Sequence, residues 1–205
     1  MPYDTLASSD ALNTTITALA ERGFLPEIVS NRAEALARIK KLIPAGASAM
    51  NGSSRTLEEI GFVSFLKEGN HGWNNLHETI LKEKDPTQQA ALRRESVSSD
   101  FYLGSAHAIA QTGEIVIASN SGSQLPHLVF TSPNLILVVG AQKITPDLDS
   151  AIKRLKEHVL PLEDARMKEV GMGGSFISKL LILNREQAFM GRKFHVILVN
   201  EKLGF

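Results

Sequence analysis

The chain has 205 residues, of which 43% are hydrophobic and 21% charged, and its 22 lysines and arginines balance its 22 aspartates and glutamates. This length and composition predict one folded domain over residues 1–205, and the zero net charge gives no support for a nucleic-acid or membrane-surface partner. The lack of cysteine excludes disulfides, a cysteine nucleophile and cysteine-bound zinc or iron–sulfur clusters.

The N-terminal segment contains no basic stretch followed by an apolar run. The sequence therefore predicts no signal peptide. No stretch of the chain has the length and apolar character of a membrane span. We expect a cytoplasmic protein on these grounds.

The first fifty residues alternate between helical and strand patterns. Apolar periodicity predicts a helix over 9–22 and a strand over 24–29. Asn31 and Glu34 then have the spacing of a capping box at the start of a second helix. A short buried strand follows over 47–50. This order of elements predicts an α/β fold built in layers.

A loop of small polar residues, 51–56, joins that strand to a third helix, for which Thr56 and Glu59 have capping-box spacing. The loop offers close backbone approach, three hydroxyls and a guanidinium, from Gly52, Ser53, Ser54, Thr56 and Arg55. With the free amides of a helix start, these groups suit a phosphate or carboxylate ligand. An ordinary capped turn has the same composition, so both interpretations remain open.

The middle of the chain gives mixed signals. Residues 69–78 are polar and irregular, and residues 82–98 have the charge pattern of a surface helix. Residues 101–110 fit either a helix or a buried strand, whereas 114–119 are β-branched and predict a strand. The loop 120–124 follows, and its Ser121 and Gly122 either supply backbone amides to a polar substrate or form an ordinary turn.

The C-terminal part begins with residues 135–140, whose continuous apolar run predicts a strand buried on both faces, as in parallel sheets. Thr145 before a proline predicts the cap of the next helix. The three glycines within 171–175 predict a flexible hinge rather than a nucleotide loop. Strands are predicted over 177–183 and 194–199.

Candidate acids and bases are few. His107 faces either a cleft or the core. Glu114 lies at the mouth of a predicted strand, where it either acts as a nucleophile or base or points to solvent. The histidines do not have metal-ligand spacing, so no metal is predicted, and no motif indicates a cofactor. Arg154 lies beside acidic residues, and this charge pattern predicts a solvated helix face.

Three blocks of the sequence resemble those of the LUD-domain (lactate utilisation) family. Residues 51–61 are similar to the family's N/G-G-S-x-T-L-E-E-I-G block, and residues 104–116 resemble its S-A-x-A-I-x-x-x-G-E-L-V block. Residues 135–147 resemble V-V-V-G-x-N-K-I-V-P-D-L. The blocks follow the family's order, and the resemblance extends over about residues 10–165.

The resemblance implies a Rossmann-like, three-layer fold of the sugar-isomerase and CoA-transferase superfamily, with a mostly parallel central sheet. It implies a role in the utilisation of lactate or related hydroxy acids, with a small anionic metabolite as ligand and iron–sulfur protein subunits as partners. The ligand positions that it implies are Asn51, Gly52, Ser53, Ser54, Thr56, Thr112, Gly113, Glu114, Ser121 and Gly122.

The sequence departs from the family pattern in three respects. His107 stands where a small polar residue is expected, and the loop 120–124 lacks the arginine of the family's D-G-T-G-N-R loop. Without cysteine, the chain cannot hold an iron–sulfur cluster, so electron transfer would require partner subunits.

Three functions therefore remain open. The first is a subunit of hydroxy-acid utilisation that binds a small carboxylate or phosphorylated ligand, with Glu114 or His107 as acid or base. The second is a stand-alone sugar-phosphate isomerase, folate cyclo-ligase-like or CoA-transferase-like enzyme, in which a covalent mechanism requires Glu114 desolvated in the cleft. The third is a non-catalytic partner-binding subunit with exposed apolar surface around Trp73 or the last strand.

Overall fold

The computed structural model describes residues 3–205, so Met1 and Pro2, the first residues of the segment assessed for a signal peptide, lie outside it. The helices are α1 Ser9–Glu21, α2 Arg32–Leu42, α3 Arg55–Glu59, α4 Phe62–Glu68, α5 Leu76–Lys82, α6 Pro86–Glu95, α7 Leu148–Arg154 and α8 Leu160–Glu169. The strands are β1 Leu25–Val29, β2 Ser48–Asn51, β3 Asn74–Asn75, β4 Phe101–Gly104, β5 Ala108–Ala110, β6 Ile115–Ser119, β7 Asn134–Gly140, β8 Ile144–Thr145, β9 Lys179–Leu183 and β10 Lys193–Val199.

The central sheet is parallel throughout and has six strands in the order β1-β10-β7-β4-β2-β3. This confirms the α/β fold with a mostly parallel sheet. A second, four-stranded sheet in the order β8-β5-β6-β9 was not predicted. It arises because residues 101–110, which fit a helix or a strand by sequence, form two strands, and β5 leaves the central sheet to pair with β6 and β8.

Alternate residues of the central strands pack on opposite faces of the main sheet. On one face, Leu135, Leu137 and Val139 of β7 pack with Leu12 and Leu19 of α1 and with the second sheet. The face on the other side buries the remaining apolar residues of β7 against α2, α3 and α4. Helix α7 covers the outer side of the second sheet. A strand buried on both faces needs a continuous apolar run, as the sequence of β7 has.

Two predicted helix caps are wrong. Ser54, not Thr56, caps α3, because its backbone is extended and its Oγ accepts a hydrogen bond from the Leu57 N–H. Asp147, not Thr145, caps α7, since its carboxylate accepts from the Ser150 N–H while Thr145 lies in β8. The Asn31 cap of α2 is confirmed, with its side chain accepting from the Glu34 N–H.

Helices α7 and α8 are joined by a π-helical segment, Leu155–Val159, so that residues 148–169 run as one long helical segment. Leu155 and Val159, both buried, lie on this segment. π-Helical turns inside α-helices are found frequently at functional sites. Here the segment turns these two side chains toward the cavity described below.

Candidate functional site

A cavity of about 360 Å³ lies at the carboxyl ends of β2 and β4. Its walls are formed by three segments that follow strands, residues 52–56, 104–107 and 118–124, together with the helical segment that includes Leu155 and Val159. Ligands of open α/β sheets bind at this edge of the sheet. The cavity is therefore the candidate functional site.

Lys143 lies at the inner wall of this cavity and is only 4% exposed. Its Nζ lies 2.9 Å from Oγ1 of Thr56, 3.2 Å from Oγ of Ser105 and 3.3 Å from the carbonyl oxygen of Ala106. Thr56, Ser105 and Lys143 each come from a different one of the three sequence blocks that resemble the LUD-domain family. We call these three residues the Lys143 cluster.

The charge of Lys143 has no carboxylate partner within ion-pair distance among residues 3–205. Burial, and then the positive charge of Arg154, lower its pKa from 10.5 to about 7, while the negative charge of Glu59 raises it by less. Burial disfavours a charged amine, and a neighbouring cation adds to this effect. Part of the Lys143 population is thus unprotonated at neutral pH.

Arg154 is a second buried cation beside the cluster, and it corrects the prediction of a solvated helix face. Its side chain is 0% exposed, and its Nη1 donates to the carbonyl oxygens of His107, at 2.5 Å, and Phe205, at 3.3 Å. Within residues 3–205 its Nε and Nη2 have no hydrogen-bond partner. Burial lowers its pKa to about 10, despite smaller opposing effects of Asp4 and Tyr3.

His107 lines the cavity, and its Nδ1 accepts a hydrogen bond of 3.1 Å from the Ala118 N–H. The proton of the neutral ring is therefore on Nε2. Burial, and then the charges of Lys143 and Arg154, lower the pKa of His107 to about 3, so the ring is neutral at pH 7. Its role as acid or base stays a prediction, and the geometry makes it an N–H donor rather than a base at Nδ1.

Tyr102 adds an unused polar group to the cavity wall. Its side chain is 2% exposed, and its hydroxyl has no hydrogen-bond partner within residues 3–205. Burial raises the pKa of this phenol, which therefore stays protonated. Gly52 permits this arrangement, because a Cβ at that position would lie 2.9 Å from the Tyr102 hydroxyl oxygen. The hydroxyl oxygen itself is buried beside the Gly52 backbone, whose effect on the phenol pKa is smaller than that of burial and opposite in direction.

The predicted residues of the first loop lie at or beside the cavity. Gly52, Ser53, Ser54 and Thr56 line it. Asn51 is buried beneath the loop, and its Nδ2 donates to the Gly52 carbonyl oxygen at 3.2 Å. The Ser54 hydroxyl is already engaged as a helix cap, whereas Ser53 is exposed. Their assignment as ligand-binding residues stays a prediction.

The second predicted loop faces the first across the cavity mouth. Ser121 lines the cavity, and its Oγ lies 3.0 Å from the Oγ of Ser123. Gly122 lies between them with a φ of 87°, and its N–H donates to Ser119 Oγ at 2.9 Å. The structure thus brings the loops 51–56 and 120–124 together at the cavity, as the resemblance implied, although Gly122 is not one of the residues that line it.

The third predicted group, Thr112, Gly113 and Glu114, does not line the cavity. It precedes β6, whereas the cavity lies beyond the other end of that strand. Arg22 binds both Glu114 and Thr112: its Nη2 donates to Glu114 Oε1 at 2.6 Å, and its Nε donates to the Thr112 carbonyl oxygen at 2.7 Å. The Thr112 hydroxyl donates to the other carboxylate oxygen of Glu114. The expectation of one cleft containing all three groups is therefore wrong.

The carboxylate of Glu114 is fixed in this ion pair, with its side chain 14% exposed. Burial raises its pKa, but hydrogen bonds from Thr112 and its own backbone, together with Arg22, outweigh this and leave the pKa below 4.5. A carboxylate held ionised by a cation links neighbouring elements. Here it connects the end of α1 to the turn between β5 and β6.

We expect Glu114→Gln to lower the free energy of unfolding by about 1–3 kcal/mol at pH 7 and to leave ligand binding unchanged. Because the folded-state pKa is lowered, the contribution of Glu114 is complete above its unfolded-state pKa and is lost as the pH falls through its folded-state pKa. Urea unfolding at pH 7 and pH 4 measures it. Glu27→Gln, which breaks a more exposed pair with Arg38, is the control, with an expected loss below about 1 kcal/mol.

If a folded Glu114→Gln protein instead failed to bind the ligand, this result would show that Glu114 is part of the functional site.

A C-terminal segment closes the side of the Lys143 cluster away from the cavity. Gln142 Nε2 donates to the Leu203 carbonyl oxygen at 2.9 Å, and the Gly204 N–H donates to Glu59 Oε2 at 2.8 Å. Gly204 has a φ of 63°, and a Cβ there would lie 2.5 Å from Thr56 Oγ1 and 3.1 Å from Lys143 Nζ. This position therefore requires glycine for both conformation and space.

We expect Gly204→Ala to destabilise the fold by about 2–4 kcal/mol and to displace the Lys143 cluster. The control is Gly191→Ala, because Gly191 has a similar φ of 70° but no atom within 4 Å of the added Cβ. Gly191→Ala should lower the free energy of unfolding only by the backbone strain, about 1–2 kcal/mol. Urea unfolding of both variants measures the difference, and equal losses would show that the cluster tolerates the methyl group.

Several residues of this site were not predicted from the sequence. Lys143 occurs inside a resemblance block, and its signal was a lysine three residues after a long apolar strand. Ser105 and Tyr102 lie in the segment whose structure was ambiguous. The role of residues 166–193 was open, and the structure places Met172 and Phe176 from this segment on the cavity wall. Their local sequence gave no signal of it.

No cluster of three His, Cys, Asp or Glu side chains suitable for a metal occurs within residues 3–205. Over the same residues, none of the helices has both the length and the apolar character of a membrane span.

A parallel six-stranded sheet with a polar cavity beyond its carboxyl ends defines an open α/β protein with its candidate site at the usual edge of the sheet. The sequence matches the family model described as the LUD domain over residues 12–199. The chain therefore belongs to the LUD-domain family, and the resemblance to this lactate-utilisation family is confirmed.

A solved structure with a similar fold is that of a DUF162 family protein from Deinococcus radiodurans. The two chains are 15% identical with a TM-score of 0.60, and the alignment covers 96% of this chain and 100% of the other. At this identity the likeness concerns the fold alone. No curated protein matches the chain significantly in sequence.

Proposed function

We propose that this LUD-domain protein binds a small anionic metabolite, a carboxylate of lactate or hydroxy-acid utilisation in the cytoplasm, in the cavity beside Lys143. The observation that carries the proposal is the buried amine of Lys143, which lines the cavity and has no carboxylate partner among residues 3–205.

The charge balance around the cavity favours an anion. Arg55 and Arg166 line the cavity but are paired with glutamates of their own helices. Lys143 and Arg154 are buried and have no such partner, and each is costly as an isolated charge. A bound carboxylate would offset both charges. It would also raise the pKa of Lys143, because an opposite charge favours the protonated amine.

Polar donors around Lys143 suit a carboxylate that carries a further oxygen. His107 offers Nε2–H, and the exposed Ser53 offers its hydroxyl. A hydroxy acid presents three oxygen acceptors within a few ångströms and could use several of these donors together. The cavity of about 360 Å³ lies at the lower end of the usual range for ligand sites, about 300–1,000 Å³, which favours a small metabolite over a folate.

The covalent carboxylate mechanism of the stand-alone enzyme hypothesis receives no support from Glu114. That mechanism needs a desolvated carboxylate in the cleft, whereas Glu114 lies outside the cavity in an ion pair with Arg22. Iron–sulfur chemistry would come from partner subunits, since the chain has no cysteine. These partners remain part of the proposal.

A partner-binding role is the second candidate, and exposed apolar side chains favour it. Trp73, suggested from the sequence as part of such a surface, is 9% exposed and packs on Phe62, and the last strand lies inside the central sheet, so both suggestions are wrong. Among the exposed large apolar side chains of residues 3–205, Met172, Phe176 and Phe189 have the highest exposure, 66–83%.

The proposal is tested by calorimetric titration and thermal unfolding with lactate, glycolate, a sugar phosphate, a folate and CoA. Lactamide is the matched control, because it keeps the shape of lactate and lacks the charge. We expect a small hydroxy acid to bind and lactamide not to bind. At one hundred times its dissociation constant a ligand stabilises the fold by about 2.7 kcal/mol. Equal effects of lactate and lactamide, or no effect of any anion, would contradict the proposal.

A further inference from the structure

Ser105 is the most exposed member of the Lys143 cluster. It follows the last residue of β4, lines the cavity and is half-buried. Its Oγ lies 3.2 Å from Nζ of Lys143. A serine hydroxyl within hydrogen-bond reach of a lysine amine has the geometry of a nucleophile with its general base.

The hydrogen bonds around Nζ suit a neutral amine as well as a charged one. A neutral amine has two N–H donors and one lone pair. Thr56 Oγ1 at 2.9 Å and the Ala106 carbonyl oxygen at 3.3 Å can accept the two donors. The lone pair can then accept the Ser105 hydroxyl proton. Because the pKa of Lys143 is about 7, a substantial fraction of the amine is neutral at physiological pH.

We propose that Ser105 is a nucleophile and Lys143 its general base, and that the pair transfers the acyl group of an ester or thioester of a small carboxylic acid to water. This inference rests on the proposed function, because it places the acid in the same cavity. It adds a reaction and a substrate class to that function.

In the first step, Ser105 Oγ bonds to the acyl carbon and its proton passes to Lys143 Nζ. The bond from the acyl carbon to sulfur or oxygen breaks, and the thiol or alcohol leaves with the proton from Nζ. In the second step, water attacks the acyl-serine and gives a proton to Nζ. The acyl–Oγ bond then breaks, Oγ regains its proton from Nζ, and the carboxylic acid ionises. Water is the only co-reactant.

The groups around the pair fit this chemistry. His107 Nε2–H is a neutral donor on the same wall, available to the developing oxyanion. Thr56 is a positioning residue, since its hydroxyl contacts both Lys143 and Ser105. The charged groups that act on Lys143 are Arg154, from α7, and Glu59, from α3.

A second serine cluster does not have these properties. Ser99 and Ser132 lie 3.3 and 2.9 Å from Nδ1 of His127, but all three side chains are at most 1% exposed and none lines the cavity. They are hydrogen-bonded core residues. Access to the cavity therefore distinguishes Ser105.

The test is acylation of the full chain by p-nitrophenyl acetate and by an acetyl thioester of N-acetylcysteamine, followed by peptide mass spectrometry. We expect acetyl on Ser105 and a rate that rises with pH through about 7. Ser105→Ala should remove the adduct, and Lys143→Met should slow its formation by about 10²–10⁴-fold. Ser64→Ala and Lys67→Met, both on exposed positions of α4, are matched controls that should react as the wild type.

Labelling of the wild type by a fluorophosphonate gives a readout that needs no variant, and it should map to Ser105. No adduct, an adduct elsewhere, or an unchanged rate in Lys143→Met would overturn the inference. If lactate still bound in that case, the proposed function would stand alone. Acylation of Ser105 without binding of any carboxylate would instead support the dyad and contradict the proposed function. The pH dependence separates the two, because acylation should rise with pH whereas anion binding should fall.

Discussion

Lys143→Met is expected to weaken binding of a small carboxylate by about 10- to 100-fold and to make the protein more stable at pH 6. The loss of binding follows from removal of a charged hydrogen-bond donor, which contributes about 1.5–3 kcal/mol. The gain in stability follows from removal of a buried cation. Titration calorimetry and urea unfolding measure the two effects.

The stability effect has a definite pH dependence. The fall in the Lys143 pKa from 10.5 to about 7 corresponds to about 5 kcal/mol of destabilisation at low pH. Lost hydrogen bonds to Thr56 and Ala106 reduce the net gain of the variant to about 1–3 kcal/mol. Because the unfolded chain holds the proton more tightly, wild-type stability rises between pH 7 and 10.5, and the advantage of the variant disappears over that window.

Lys67→Met is the control, because Lys67 is exposed on α4. It should change neither binding nor stability by more than about 0.5 kcal/mol. A Lys143→Met protein that bound lactate as tightly as the wild type would contradict the assignment of this amine to the ligand site.

The affinity for a carboxylate is expected to fall about 50-fold between pH 7 and 9, with a slope that approaches tenfold per pH unit well above the pKa of Lys143. The anion binds the protonated amine, and the free protein loses that proton as the pH rises through about 7. A hydroxy-acid carboxylate stays ionised over this range, and His107 stays neutral because its pKa is about 3. Calorimetric titration at constant ionic strength measures the slope.

Two variants should move the midpoint of this profile in opposite directions. Arg154→Met removes the cation that lowers the Lys143 pKa, so the midpoint should rise. Glu59→Gln removes the carboxylate that raises the pKa, so the midpoint should fall. An affinity that is constant from pH 6 to 9 would contradict the role of Lys143 as the titrating contact.

The sequence predicted the parts of the fold that local patterns determine. The apolar run of β7 and the cap at Asn31 are signals of this kind, because a doubly buried strand and a helix start each require particular residues nearby in the chain. Residues 101–110 lacked such a signal. Their strands are determined by pairing with β2 and β7 on one side and with β6 and β8 on the other, which are distant in sequence.

The candidate site was predictable only in part, for a related reason. The loops 51–56 and 120–124 have the composition of binding loops, and they do meet at the cavity. Glu114 has a suitable residue type but lies at the far end of its strand, paired with Arg22. Arg154 has acidic neighbours in sequence and yet is buried, because the long helical segment turns that position toward the second sheet and the turn that contains His107.

The place of β10 between β1 and β7 has a consequence for synthesis on the ribosome. Strand β1 is made early, but the neighbour that pairs with it begins 168 residues later, at Lys193. At about 5–20 residues per second, this interval is roughly 10–30 s. Throughout this interval β1 lacks its partner strand, and from the synthesis of β7 onward the edge of β7 that pairs with β10 is also unpaired. The strands of the main sheet can complete their pairing only after β10 has left the ribosome. This protein is therefore expected to depend on chaperones that cover unpaired strand edges during translation.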